Sequence, residues 1–175
     1  MRLFVAVDID KQIKSKVLEI QHKLPSHGLK MVNPENFHFT LKFLGEQPDN
    51  KINEISSVLS DIASKYKPFI INISGVGAFP SDSSIRVLWI GSSGLEPLLL
   101  DIHKSLDQFK KEDYKPHPHL TLARVSASSP ELKDIIMHLK NSEIGAMTVN
   151  SFVLKKSVLK QSSPVYEDVK RFDLP

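Results

Sequence analysis

The chain has 175 residues, 41% hydrophobic and 25% charged, with 23 basic against 20 acidic side chains and a formal net charge of +3. Length and composition fit one globular domain, or two small lobes that share a core, and the mild positive charge permits an anionic ligand without announcing a nucleic-acid coat. Cysteine is absent, which excludes disulfides, thiolate metal sites and a cysteine nucleophile.

Arg2 to Ile9 opens as a strand, apolar from Leu3 to Val7. That run is too short for a signal-peptide core and no small-residue cleavage site follows it. No other run approaches the ~20 apolar residues that span a bilayer, so a cytoplasmic protein without membrane contact is expected. Asp10 is placed to cap a helix in which Ile13, Val17, Ile20 and Leu24 recur at helical spacing. Pro25 and Gly28 end it. Asn33 to Asn36 reads as a turn that delivers the chain into a strand, Phe37 to Leu44, broken by Gly45. A helix is predicted from about Pro48 to Tyr66, with Ile52, Ile55, Leu59 and Ile62 on one face. Phe69 to Val76 is a strand, Gly75, Gly77 and Pro80 to Ser84 make a loop, and Ile85 to Ile90 is a strand carrying the single tryptophan, Trp89.

The same order then repeats. Gly91 to Gly94 is a turn, and Leu95 to Phe109 a helix. Pro116 and Pro118 stiffen an extended entry into a strand from His119 to Val125. Ser129 and Pro130 start another helix, lined by Leu132, Ile135, Ile136 and Leu139. Thr148 to Val158 and Val165 to Phe172 close the chain as strands. Each half runs strand, helix, strand, helix, strand, strand. The chain is therefore expected to be one domain, 1–175, with an internal pseudo-repeat of about 1–84 and 85–175. The fold expected is α+β and bilobal. Two pseudo-symmetric lobes would each carry a mostly antiparallel sheet with helices on one face, and a cleft would lie between them.

The third element of each half, a strand, carries a matched pattern. His38-Phe39-Thr40-Leu41 and His119-Leu120-Thr121-Leu122 both read His, apolar, Thr, Leu, 81 positions apart. Alternate strand side chains point to opposite faces, so His38 shares a face with Thr40, and His119 with Thr121. A core strand has no structural need for a polar His and Thr on one face, still less twice. Two imidazoles on opposite sides of a bound group can serve as base and acid near neutral pH. In-line displacement at phosphorus fits best, with hydroxyls from Thr40 and Thr121 donating to the phosphoryl oxygens. Lys42 keeps the parity of His38 and Thr40 and can share their face. Arg124 has the wrong parity for His119 and needs a bulge or the strand end to reach in.

The stretches HFTLKFLG (38–45) and HPHLTLAR (117–124) resemble the paired signatures of the two-histidine phosphoesterase superfamily. The nearest branch is the RNA 2′,3′-cyclic phosphodiesterases, also called 2′–5′ RNA ligases. The opening MRLFVAVDI, the run VLWIG and the total length are similar too, so the resemblance covers essentially the whole chain. It implies hydrolysis of RNA 2′,3′-cyclic phosphate ends to 2′-phosphomonoesters without metal or other cofactor, with reversible 2′–5′ ligation as a further activity. By the same resemblance His38 is the proton donor to the leaving oxygen and His119 the acceptor that activates water. Thr40 and Thr121 bind the phosphate, and Arg124 is a further candidate for it. The partner implied is RNA with a cyclic phosphate end or a cyclic nucleotide, bound by a monomer.

Other polar and aromatic residues carry alternatives. His117 shares a face with His119 and forms a possible metal pair, without an evident third ligand. His22, His27, His103 and His138 read as surface, as do the lysine pairs 110–111 and 155–156. Trp89, Phe79 and Tyr114 suit either base stacking or packing. Arg86 is a weaker candidate for charge. A metal-dependent hydrolase and a non-catalytic RNA-binding module are the competing classes.

Overall fold

The structure is a computed structural model that describes residues 1–159 and 164–175. One nine-stranded sheet runs through it. Its strands are β1 (Arg2–Asp8), β2 (Leu29–Met31), β3 (His38–Glu46), β4 (Phe69–Ser81), β5 (Ser84–Ser93), β6 (His119–Val125), β7 (Glu143–Val149), β8 (Ser151–Leu159) and β9 (Pro164–Asp173). Among the described residues four α-helices accompany it: α1 (Lys11–Gln21), α2 (Ile52–Ala63), α3 (Glu96–Ser105) and α4 (Pro130–Leu139). The sheet order is β7-β4-β5-β6-β3-β1-β8-β9, with short β2 added beside β6. The paired strands are antiparallel.

The sheet is two half-sheets joined at one place. β3 meets β6 through the single registered pair Phe39–Leu120. Outward from that seam one half runs β3-β1-β8-β9 and the other β6-β5-β4-β7. The half-sheets do not follow the two halves of the sequence: β4 crosses to the β6 side, and β8 and β9 return to the β3 side. The core fills the side of the sheet that the helices cover, where Phe39, Leu41, Leu120 and Leu122 are at most 1% exposed. The apolar stripes of α1 and α2 are buried as their spacing demands, through Ile13, Val17 and Ile20 on α1 and Ile55, Leu59 and Ile62 on α2. Asp10 caps α1 by accepting from Ile13 N (2.7 Å), and Ser129 caps α4 by accepting from Leu132 N (3.1 Å). Among the described residues no helix is long and apolar enough to cross a membrane.

Several boundaries differ from the sequence reading. The region 75–84 is a continuous hairpin instead of a loop, because β4 and β5 stay paired down to Ser81–Ser84 and absorb Gly75 in a register shift. The predicted strand 148–158 is two strands broken at Asn150, where the chain leaves one half-sheet for the other. Strand β2 and most of β7 escaped the period-two pattern. Gly45 does not end β3; it takes φ +65° inside the strand, a conformation glycine adopts without steric cost. Helix α2 begins later than Pro48, after a 3-10 turn at Asp49–Lys51.

Candidate active site

The four motif side chains share one face because of the register at the seam. Phe39 and Leu120 are directly opposed, and opposed residues of an antiparallel pair point to the same side. Both are fully buried in the core. Their neighbours His38, Thr40, His119 and Thr121 must then project from the opposite face of the sheet, two from each lobe. Thr121 falls across from His38, and His119 across from Thr40. His119 is near enough to lower the pKa of His38.

Each imidazole is held the same way. The Nδ1 of His38 bonds the carbonyl of Asn36 (2.7 Å), and the Nδ1 of His119 bonds that of His117 (2.7 Å). A carbonyl only accepts, so each Nδ1 carries a proton and each Nε2 is left for chemistry. Asn36 is itself tied to the start of β9, its Nδ2 donating to Pro164 O (2.9 Å). The Nε2 of His38 therefore accepts from the Thr40 hydroxyl (2.9 Å).

The surroundings of the two rings differ. Burial first of all pushes His38 down to about 4; the bond to Asn36 and the charge of Asp8 oppose this. Asp8 stands opposite His38 in the β1–β3 register. Burial also lowers His119; the bond to the His117 carbonyl opposes this, and the charge of the His117 ring adds to the lowering. The residue opposite His119 is Gly91, with no side chain at all. Phe4 and Tyr166 pack on the His38 ring at 5.2 and 5.4 Å between centroids, and Phe79 stands edge-on to the His119 ring at 4.9 Å.

A bulge comes directly after the threonine in both strands. Thr40 pairs with Ala6 and Lys42 with Val5, which leaves Leu41 over. Thr121 pairs with Trp89 and Ala123 with Leu88, which leaves Leu122 over. Each bulge turns two successive side chains to the core: Leu41 and Lys42 are each 1% exposed, Leu122 and Ala123 fully buried. Matching groups from the helices hold them. Gln21 of α1 donates to Leu122 O (2.9 Å), and the His103 ring of α3 bonds the Leu41 backbone.

The bulges decide two candidates in opposite senses. Lys42 does not share the face of His38. It points inward, where Nζ donates to His103 O (3.0 Å) and Asp107 Oδ1 (2.8 Å). Arg124 emerges on the His119 face, exposed; burial raises the pKa of the Tyr166 phenol on the other lobe, and the charge of Arg124 opposes that rise. The residue that takes the corresponding place after the first bulge is Phe43, 47% exposed.

Other readings are also revised. His103 is not a surface residue; its side chain is 13% exposed and lies 3.5 Å from Glu112. Lys155 is buried and pairs with Asp8 (3.1 Å) and Asp168 (2.6 Å) beside the site, whereas Lys110, Lys111, His22, His27 and His138 lie at the surface. Trp89 and Phe79 pack against one another at 5.1 Å and against His117. Tyr114 is exposed, its ring 6.4 Å from that of His103, with Arg86 also at the surface. Among the described residues no group of three or more His, Asp or Glu side chains converges to hold a metal. Asp8, Phe4 and Tyr166 were not among the candidates drawn from the sequence. Only the alternation of Phe4, Ala6 and Asp8 along β1 hinted at the first two.

The sequence profile of the family described as "LigT like Phosphoesterase" matches the chain twice, over residues 7–89 and 90–166. A protein of Archaeoglobus fulgidus named RNA 2′,3′-cyclic phosphodiesterase is 40% identical over 99% of this chain and 100% of its own length. One of the same name from Methanothermobacter thermautotrophicus is 39% identical over 99% of both chains. Among solved structures, the protein TT0787 of Thermus thermophilus superposes with a TM-score of 0.86 at 30% identity, covering 99% of this chain and 98% of its own. E. coli LigT, solved with phosphate, gives 0.78 at 25% identity over 99% and 96%. Two matches of one family profile, one to each half, and full-length relatives at this identity place the chain in the LigT-like phosphoesterase family.

Proposed function

We propose that this protein hydrolyses RNA 2′,3′-cyclic phosphate ends to 2′-phosphomonoesters by acid–base catalysis between His38 and His119, with no metal. The observation that carries the reading is the pair of imidazoles on one face, each with Nδ1 locked to a carbonyl and Nε2 turned to the site, that of His38 against the Thr40 hydroxyl. The activity name shared by the relatives supports the substrate. A related protein solved with phosphate and with 3′-AMP supports an anion at this face.

The unequal surroundings support the division of roles. Against burial and the charge of Lys155, which favour the neutral ring, the Asp8 carboxylate opposite His38 favours its imidazolium, the form an acid needs. His119 has Gly91 opposite it and another histidine nearby, which favour the neutral form, the one a base needs. In the free protein burial keeps His38 neutral. The negative cyclic phosphate raises its pKa on arrival, so the acid is charged when substrate is bound. Nε2 of His119 then takes a proton from water. The new P–O bond forms as P–O3′ breaks, and His38 Nε2 protonates O3′. Thr40 and Thr121 donate to the non-bridging oxygens, Thr40 releasing His38 as it does so. Arg124 neutralises the phosphate charge from the His119 side. The terminal ribose carries the leaving oxygen and so lies toward His38, where Tyr166 and Phe43 present aromatic surface. Ligation needs the same groups, with a ribose hydroxyl in place of water. The protein acts as a monomer on RNA in the cytoplasm.

The test is incubation with a 2′,3′-cyclic mononucleotide in excess EDTA, with the 2′- and 3′-monophosphates then separated. The expected product is the 2′-phosphate at an undiminished rate. A 3′-phosphate as main product would reverse the assignment of leaving oxygen. Loss of activity restored by zinc or manganese would replace the mechanism with a metal-dependent one.

A further inference from the structure

Beside His119 lies a cavity of about 640 Å³ that attack by water does not require. It begins at Gly91, the strand partner of His119, and extends over β5 and β4 to the turn after α4, between Trp89, His117, Ser92 and Asn141. Two glycines clear its floor. A Cβ at Gly77 would collide with the Trp89 indole, and one at Gly91 would press on the same ring at 3.3 Å. The indole can lie across the strands only because both are bare. The His117 ring packs on it at 4.9 Å. One polar group of the lining, Trp89 Nε1, is buried without a hydrogen-bond partner among the described residues. Buried polar groups are seldom left so. Aromatic rings, hydroxyls, an amide and the Lys140–Asp82 pair (3.2 Å) at the same cavity suit a flat, polar heterocycle better than an apolar ligand.

The position of the cavity relative to phosphorus says which nucleoside it would take. Attacking and leaving oxygens stand on opposite sides of an in-line displacement. The terminal nucleoside of the cyclic end is attached through the leaving oxygen on the His38 side, so a pocket behind His119 serves the group that brings the attacking oxygen. We infer that this cavity is a second nucleoside subsite, one that seats the nucleoside of an RNA 5′-hydroxyl end so that its hydroxyl takes the place of water. This rests on the proposed reading of the two histidines. In the transfer, O5′ gives its proton to His119 Nε2 and forms the P–O5′ bond. P–O3′ breaks, and O3′ takes the proton of His38. A 2′–5′ linkage results and no other reactant is consumed.

Trp89 is the only tryptophan, so a ¹⁵N-labelled sample shows a single indole N–H signal, and that signal belongs to the cavity. The probe is adenosine, added to the full-length protein already saturated with 2′-AMP. The indole signal should move saturably while 2′-AMP stays bound. Asn141→Phe fills the cavity from an exposed turn and should weaken adenosine at least tenfold, with hydrolysis of 2′,3′-cyclic AMP kept within twofold. Ser93→Phe, from the facing strand, should do the same and guards against a distorted turn. An indole signal that does not respond, displacement of 2′-AMP by adenosine, or unchanged affinity in both variants would overturn the subsite. Those failures in a protein that hydrolyses the cyclic nucleotide leave the proposed function standing. A wild-type protein that does not hydrolyse it removes that function instead.

Discussion

The acid proposed for this site should leave a mark on stability as well as on rate. His38 is held near a pKa of about 4 in the folded protein, chiefly by burial, against about 6.5 in an unfolded chain. Between those values the unfolded chain binds a proton that the folded protein refuses, so unfolding is favoured as pH falls. The stability from keeping His38 neutral is complete above about pH 6.5 and drains away toward pH 4. At about 1.4 kcal/mol per unit the ceiling is roughly 3 kcal/mol, and by pH 5 about 2 kcal/mol has gone. Other groups titrate in the same range, so the quantity to measure is a difference of differences. Urea unfolding of the wild type and of His38→Gln, each at pH 7.5 and pH 5.0 in buffer free of phosphate and sulfate, isolates the His38 contribution whatever the substitution costs at neutral pH. The wild type should lose about 2 kcal/mol more than the variant between the two pH values. Inorganic phosphate, by binding the imidazolium, should narrow that gap. Equal losses in the two proteins would show that His38 is not held neutral by its surroundings, and the account of an acid charged only by its substrate would fall.

Four other outcomes are expected. His38→Ala and His119→Ala should each lower kcat about 10²–10⁴-fold, while Thr40→Ala and Thr121→Ala cost about tenfold for one lost donor; single-turnover assays on a cyclic mononucleotide separate the two classes, and near-wild-type turnover in His119→Ala would refute the pairing. Because both histidines are shifted below their ordinary value, the alkaline limb of kcat/KM should lie below about pH 6.5, and that of kcat should lie higher because bound phosphate raises the pair; coincident limbs would contradict this. Lys42→Met should keep activity within about twofold, since the ammonium faces Asp107 and not the site, whereas Arg124→Ala should raise KM; the reverse pattern in steady-state kinetics would put Lys42 at the phosphate. Fragments 1–84 and 85–175 should each be unfolded alone by circular dichroism, because β4 separates from its partners β5 and β7, and β8 from β1; an independently folded half would refute the exchange of strands as the basis of a single domain.

The sequence by itself determined the chemistry-bearing face of each motif. Side-chain alternation is a property of one strand, so His38 with Thr40, and His119 with Thr121, could be assigned to common faces before any partner was known. The caps at Asp10 and Ser129 and the helix stripes were legible for the same reason, since they rest on neighbours a few residues apart. Tertiary structure alone decided the course of each strand beyond its threonine. A bulge exists only between strands, and these two are held by Gln21 and His103, the former 101 positions from the carbonyl it bonds. Parity counted along the chain put Lys42 on the His38 face and left Arg124 needing a bulge or the strand end to reach the His119 face; the first bulge turns Lys42 inward, and the second brings Arg124 out on the His119 face. The exchange of strands between lobes likewise brings Lys155 and Tyr166 to His38, across more than a hundred residues of chain. Which side chains surround each histidine, and hence which ring sits opposite a carboxylate and which opposite a bare glycine, was settled by that topology.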